Sequence, residues 1–290
     1  MGDSGNKLPA LPEGFGHAAE KLADTVRHVV DLSFTPNRLR AKAQAQADAE
    51  IILAEARAQV AEIEARTVDR LRKREVRRQL NIESITLKAA QLPPPETLSE
   101  EPVNEDWTSR FFEECQDIGD EQMQQLWARL LAGEVARPGS FSPRTLTIVR
   151  DLTRTDAHLF SVLCNLIWNI PDIGVVPVIA DPQAAELEPL GIGTGTLTHL
   201  TSIGLIEFNS ISSYGSVPEL TNVAPSYFGE QIRLSRDAPS TFDIGRVIFT
   251  AVGIELTKII RGSPSDALKE HALSYWRGQG WARPAPSASA

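Results

Sequence analysis

The side chains in this chain that could carry chemistry are few, and they are scattered. Five carboxylates stand between residues 113 and 121: Glu113, Glu114, Asp117, Asp120 and Glu121. Such a density would serve a divalent cation or an acid/base pair. Asp120 and Glu121, however, open a helix, where acidic side chains offset the positive end of the helix dipole. The others fall beside that helix's solvent face. Gly191-Ile-Gly193-Thr-Gly195 has the glycine spacing of a phosphate-cradling loop. A loop of that kind follows a strand directly and, in its commonest form, ends on a lysine. Here Ala184–Leu190 reads as helix and no lysine follows, so a turn between two short helices accounts for the glycines. His17, His28, His158, His199 and His271 stand outside metal-ligand spacing of Cys or of one another. No serine occupies a nucleophile elbow, and neither Cys115 nor Cys164 has the local signature of a catalytic thiol. The expectation is therefore no catalytic residue, no metal site and no cofactor. This reads as a protein that is not an enzyme.

What remains is charge and apolar patterning. The net charge of −9 is unevenly spread: −2 over residues 1–36, +4 over 37–92, −7 over 93–149, −5 over 150–261 and +1 over 262–290. The positive stretch is concentrated in Arg70, Arg72, Lys73, Arg74, Arg77 and Arg78, six basic residues in nine. These could meet nucleic acid or anionic lipid. On a helix they wrap most of the circumference, so a solvated face that pairs with the acidic middle of the chain is the plainer reading. Upstream, Leu53, Ala56, Val60, Ile63 and Thr67 alternate by three and four residues, a short coiled-coil seam thinned by alanine. Leu53, Val60 and Ile63 are the candidate oligomer contact.

The elements that position these features follow from periodicity and punctuation. Residues 1–14 hold three Gly and two Pro and are expected to be disordered. Phe15–Phe34 is amphipathic, with a mixed-charge polar face that suits docking on protein better than on lipid. From Asn37 to Leu92 the chain has no Pro or Gly and is rich in helix formers. One continuous helix there would be about 80 Å long and would need a partner, a second copy or the rest of the chain. Pro93-Pro94-Pro95 ends it. Trp107, Phe111, Cys115 and Ile118 then form one helical stripe, and Met123, Leu126, Trp127, Leu130 and Leu131 another. The two form a hairpin turning at Ile118–Gly119, the expected core of the middle domain, with Asn104 as its N-cap. Ser142-Pro143 opens a third helix carrying Leu146, Val149 and Leu152. Thr155 is read as the cap of a fourth, whose stripe runs Leu159, Val162/Leu163 and Leu166/Ile167.

Beyond Pro171 the pattern turns to short β-like runs. Gly174–Ile179 reads as an edge strand with its proline, Asp181–Leu190 as a helix and Thr194–Ile203 as another. Strands are expected at Leu205–Ser210, Gln231–Leu234 and Arg246–Thr250, with turns from Ser212 to Ser226. Val252–Arg261 is helical. This order is that of a winged-helix domain. Its recognition helix would be Thr194–Ser202, which has no Lys or Arg. A duplex reader needs cations at phosphates and donors at base edges, so a winged helix of this kind fits protein contacts better than DNA.

The whole reads as mostly α, α+β overall. Residues 1–14 are a disordered N-terminus, and 15–92 an amphipathic helix plus a long helix. A helical-hairpin domain spans 93–154, a winged-helix-like domain 155–262, and a helix with a low-complexity, mobile tail from Gly278 covers 263–290. Two cysteines without a disulfide framework point to a reducing, cytoplasmic setting. No basic n-region with an apolar h-region opens the chain, and no run of about 18 apolar residues could span a bilayer.

Certain stretches resemble a known family. Gln79–Glu83 (QLNIE), Asp106-Trp107, Leu126–Glu134 (LWARLLAGE) and Pro138–Leu146 (PGSFSPRTL) resemble an uncharacterised family of bacterial proteins known only as a domain of unknown function. The likeness covers most of residues 15–262. Members often place Ser at the helix start where this chain has Gly119, which implies a lost side-chain cap. No reaction is assigned to that family, so no catalytic residue follows from it. Leu126–Ala132 also resembles the Abi-alpha type of abortive-infection protein, with the same order of long helix and hairpin. That resemblance implies a part in phage defence. The expected function is a bacterial interaction or scaffold protein, homo-oligomeric through residues 37–92. A winged-helix transcription regulator and an enzyme with an unrecognised site are the alternatives.

Overall fold

The computed structural model describes residues 36–93, 98–216 and 219–282, with side chains from residue 40. The expected disordered start, the amphipathic helix Phe15–Phe34 and residues 283–290 lie outside the described residues; the mobile tail expected from Gly278 is corrected in its first residues, because Trp281 is fully buried in a core. Helices dominate, and small antiparallel sheets follow in the C-terminal part. Two compact units divide between Val76 and Arg77.

Helix α1 (Pro36–Ala90) runs 55 residues, with Pro36 at its first position and no Gly or Pro after it. Strong helix formers throughout let it continue without a break. From Arg77 onward it belongs to the larger unit, where Ile85 is fully buried and Ile82 packs beside it.

The expected hairpin is α2 (Glu105–Cys115) and α3 (Glu121–Ala136). Asn104 caps α2 by accepting from the Trp107 backbone N–H, as its position before the acidic first turn predicts. The cap expected to be lost at Gly119 is supplied one residue on. The Asp120 carboxylate accepts from the N–H groups of Gln122 and Met123. Phe111 lies between the two tryptophans, its ring centroid 5.2 Å from Trp107 and 5.3 Å from Trp127. Aromatic rings at such offsets gain beyond plain area burial.

Helix α4 (Pro143–Asp151) starts at the Ser142 cap, as expected. The next helix, α5 (Arg154–Leu163), corrects the sequence reading. Its cap is Thr153, not Thr155, because Asp156 three residues on closes a capping box with it. Its apolar stripe also stops early. Cys164–Leu166 tightens into a 3-10 turn, and Ile167–Ile170 is already strand β1.

Strand β2 (Gly174–Pro177) pairs antiparallel with β1. The helix expected over Asp181–Leu190 is absent. Pro189 has no amide to donate and disfavours helical backbone before it, and only the 3-10 turn Glu188–Leu190 forms. Helix α6 (Thr194–Ser202) and strand β3 (Ile206–Phe208) stand where expected. The stretch from Ser212 to Ser226, expected as turns, holds β4 (Tyr214–Gly215), β5 (Leu220–Val223) and the start of β6 (Ser226–Tyr227). The strand expected over Gln231–Leu234 straddles a break between β7 (Glu230–Gln231) and β8 (Leu234–Ser240). Then come β9 (Asp243–Gly245), β10 (Val247–Phe249), α7 (Ala251–Thr257) and α8 (Asp266–Gly278).

One sheet has the order β2-β1-β6-β7, which leaves the proline-bearing β2 at an edge; β3 pairs with β10, β4 with β9 and β5 with β8. Gly245, at φ +91°, brings its backbone against Ile179, where a Cβ would lie 2.4 Å from the Ile179 carbonyl oxygen. Only glycine fits there. Around these elements sit two cores. The first joins the hairpin, α4–α7 and the β3–β10 pair. The second gathers Trp168, Tyr227, Phe242, Trp276 and Trp281, and is closed by α8.

Candidate functional site

The basic run on α1 splits in two. Arg77 and Arg78 both reach Asp117, at the end of the first hairpin helix, at 3.0 and 2.7 Å. The Arg78 hydrogen bond, followed by the charges and the bond from Arg77, outweighs burial and holds the Asp117 carboxyl below its usual range. Part of the run therefore does meet the acidic middle of the chain. Lys73 pairs with Asp69 along the helix at 2.7 Å and Arg74 with Glu75 at 3.1 Å. Arg70 and Arg72 are exposed.

The apolar seam lies upstream. Val60 and Ile63 are 41% and 55% exposed, and Leu53 is half-buried. Beside the seam, Ile51 and Ile52 are also open to solvent.

The last turns of α1 are anchored by polar side chains that a sequence stripe does not reveal. Asn81 donates to the Gln116 carbonyl at 2.9 Å. The Gln124 amide donates to the Ile118 carbonyl at 2.9 Å and to Asn81 at 3.3 Å. Its oxygen accepts from Ser84 and Lys88 at 2.8 and 3.2 Å. Asn81 and Gln124 are buried, and in a buried site each unmade bond of such groups costs its full desolvation. The QLNIE stretch is thus a clamp that holds the α2–α3 turn.

The second conspicuous stretch has a similar explanation. At Gly133 a Cβ would stand 2.8 Å from the Phe141 ring, so glycine lets that ring close on α3. Glu134, 1% exposed, accepts from the backbone N–H of Gly139 at 2.6 Å and of Phe141 at 3.0 Å. Trp107 Nε1 donates to the Phe141 carbonyl at 2.8 Å. Glu255, distant in sequence, accepts from Ser142 N–H at 2.7 Å and from the Thr145 hydroxyl at 2.5 Å. A carboxylate at a helix start satisfies amides that the helix leaves open.

Three of the five hairpin carboxylates are taken up by other tasks. Asp117 takes the two arginines, Asp120 caps α3 and pairs with Arg154, and Glu114 pairs with Arg150 at 2.7 Å. Among the described residues no group of three or more His, Cys, Asp or Glu could hold a metal ion. Gly191–Gly195 links a 3-10 turn to α6, with no strand before it. Burial pushes the thiols of Cys115 and Cys164 up to about 12, far from a nucleophile's range.

One dyad was not visible in the sequence. His199 on α6 places Nε2 2.5 Å from Asp156, whose other oxygen accepts from Thr153 N–H and hydroxyl at 2.8 and 2.7 Å. Burial raises the Asp156 pKa, but the His199 and Thr153 bonds outweigh it and leave the carboxyl below its usual range. The capping box explains the aspartate, and the histidine completes its satisfaction. A cleft of about 900 Å³ lies between the start of α2 and the 137–143 turn, lined by Glu101, Asp106, Arg110, Glu113, Trp107 and Pro138 among others.

The QLNIE stretch therefore belongs to the clamp, and the stretch Leu126–Leu146 holds the Gly133–Phe141 closure. A family model described as Protein of unknown function (DUF2806) matches residues 65–271. The chain belongs to that family. Neither the curated proteins nor the solved structures give a match. The DUF2806 region opens within α1, takes in Arg70–Arg78, both anchoring stretches and the first core, and ends inside α8 before Trp276 and Trp281 of the second. The seam residues Leu53, Val60 and Ile63 precede it. Among the described residues no helix is long and apolar enough to cross a membrane.

Proposed function

We propose that this chain is a non-enzymatic interaction protein that works as a homo-oligomer assembled through α1. The observation that carries this reading is the exposed seam, with Val60 at 41% and Ile63 at 55% on a helix free of Gly and Pro. A long helix whose apolar side chains face water is stabilised by a partner. The use of Glu114, Asp117 and Asp120 in a cap and ion pairs, and the inert thiols, favour an interaction role over catalysis. The fit with Abi-alpha type proteins rests on Leu126–Ala132 and on the order of long helix and hairpin, and on that ground the process served is phage defence.

The C-terminal half is read as winged-helix-like, with α6 leading into β3, the β4–β9 excursion as an enlarged wing, and β10 returning. Its α6 carries Thr194, Thr196, Thr198, His199 and Ser202 and no Lys or Arg, which supports protein rather than duplex as its contact. A phage challenge of cells with and without the gene tests the process. Lower plaque counts with the gene are expected, and equal counts across a phage panel would remove phage defence from the account. Salt-dependent binding of duplex DNA by the purified chain would favour a transcription regulator instead.

A further inference from the structure

The seam on α1 has a direction as well as a position. Written as heptads, Leu53, Val60 and Thr67 occupy one core position and Ala56 and Ile63 the other, and the same spacing runs on into Arg70 and Arg74. Two copies lying parallel and in register would set Arg70 against Arg70 and Arg74 against Arg74. Like charges at core positions repel and lose water together. Reversing one copy removes both clashes.

With Val60 of one copy packed on Ile63 of the other, Ala56 meets Thr67. Leu53 then meets the aliphatic stem of Arg70, and Ala49 that of Arg74, with both charged heads free to reach water. Glu50 comes beside Arg74. On the flank of the seam, Arg57 follows Ala56 and Glu64 follows Ile63, both at the same heptad position and both exposed. In the reversed pair Arg57 faces Glu64 of the other copy, and this happens twice by symmetry. The wider charge pattern agrees. Residues 45–56 carry Asp48, Glu50 and Glu55 and no Lys or Arg, whereas 66–74 carry Arg66, Arg70, Arg72, Lys73 and Arg74 against Asp69 alone. Antiparallel packing sets the acidic stretch toward the basic one, and parallel packing sets each against its own kind.

We propose that the occupant of the seam is a second copy of this chain, lying antiparallel and centred between Val60 and Ile63. This rests on the self-association proposed above and adds its orientation and register. Single cysteines in the full chain test it, since Cys115 and Cys164 are buried and out of reach of mild oxidation. Chains carrying Ala56→Cys and chains carrying Thr67→Cys are oxidised separately and as a mixture, with sedimentation run alongside. In the antiparallel pair the two Ala56 positions are about 16 Å apart along the helix, so a disulfide-linked dimer is expected in the mixture only. A linked dimer of Ala56→Cys alone means a parallel pair and overturns the orientation. A chain that sediments as a dimer yet links in neither arrangement overturns the register while leaving self-association standing. A monomer at tens of micromolar overturns self-association itself. Charge reversal provides a second reading. Arg57→Glu or Glu64→Arg alone is expected to weaken the dimer about tenfold through two repelling pairs, and the double reversal to restore it. Failure of the double variant to recover would contradict the Arg57–Glu64 contact.

Discussion

Two stretches of α1 have the same backbone and opposite surroundings. Residues 77–90 are part of the larger compact unit, with Ile85 at 0% exposure and Asn81 bonded across to the Gln116 carbonyl. In residues 40–76 no apolar side chain is buried and most stand open, Ile52 at 57% and Ile63 at 55%. Neither stretch holds Gly or Pro, and the helix runs continuously through both. What differs is whether a partner covers the apolar face. A helix boundary is thus no guide to where a compact unit begins, and the uncovered stretch is where the account places the function.

The largest expected effect lies in the core that receives the docked stretch. Trp127 is fully buried against Phe111, and Trp127→Ala is predicted to cost about 3–5 kcal/mol, read from the denaturant midpoint. An unchanged midpoint would place Trp127 on a binding surface instead. The comparison itself is sharpened by a matched pair of truncations. Ile85→Ala is predicted to destabilise by about 2–4 kcal/mol, while Ile63→Ala, at concentrations where the chain is monomeric, should stay within about 0.5 kcal/mol. Equal losses at the two positions would erase the distinction. Next, Gln124→Ala removes the centre of the clamp and leaves buried partners unsatisfied, for a predicted loss of about 1–3 kcal/mol, with faster hydrogen exchange over residues 77–90 as the second signature.

The smallest effect concerns the Arg77/Arg78–Asp117 contact. The Asp117 pKa is lowered in the folded chain, first by the Arg78 hydrogen bond. Its stabilisation is therefore present above the ordinary carboxylate range and fades as pH falls through the lowered folded value. The Asp117 side chain is 46% exposed, and solvent screening keeps the effect to about 0.5 kcal/mol or less. Asp117→Asn should flatten that acid limb slightly. A variant whose acid limb matches the parent's would show that the contact contributes nothing.

How much of this was legible depended on how local the signal was. The hairpin, its Asn104 cap and the Ser142-Pro143 start were readable because a 3.6-residue stripe and a cap residue lie within one or two turns of each other. The Thr153 cap was passed over for Thr155, although Asp156 three residues beyond Thr153 marked it. The second aromatic core was not readable. Trp168 and Tyr227 come from strands of four and two residues, Phe242 from the turn between β8 and β9, Trp276 from α8 and Trp281 from just beyond it, too scattered for any period to show. Nor were Glu134 and Glu255, since a carboxylate that accepts backbone N–H groups leaves no mark until its partner is known. The Ser142–Glu255 bond spans 113 residues. The seam was legible in place from its heptad spacing. That Asn81 and Gln124 would fix the end of the same helix was not.

The central claim is that the open stretch of α1 is covered by a second copy, and sedimentation of the full chain tests it most directly. The parent chain is compared at tens of micromolar with the double variant Val60→Asp and Ile63→Asp, whose carboxylates would be costly to bury in the seam. The account predicts an oligomer for the parent and a folded monomer for the variant, with the same unfolding midpoint at concentrations where both are monomeric. A parent chain that sediments as a monomer, or a variant that associates as tightly as the parent, would contradict it.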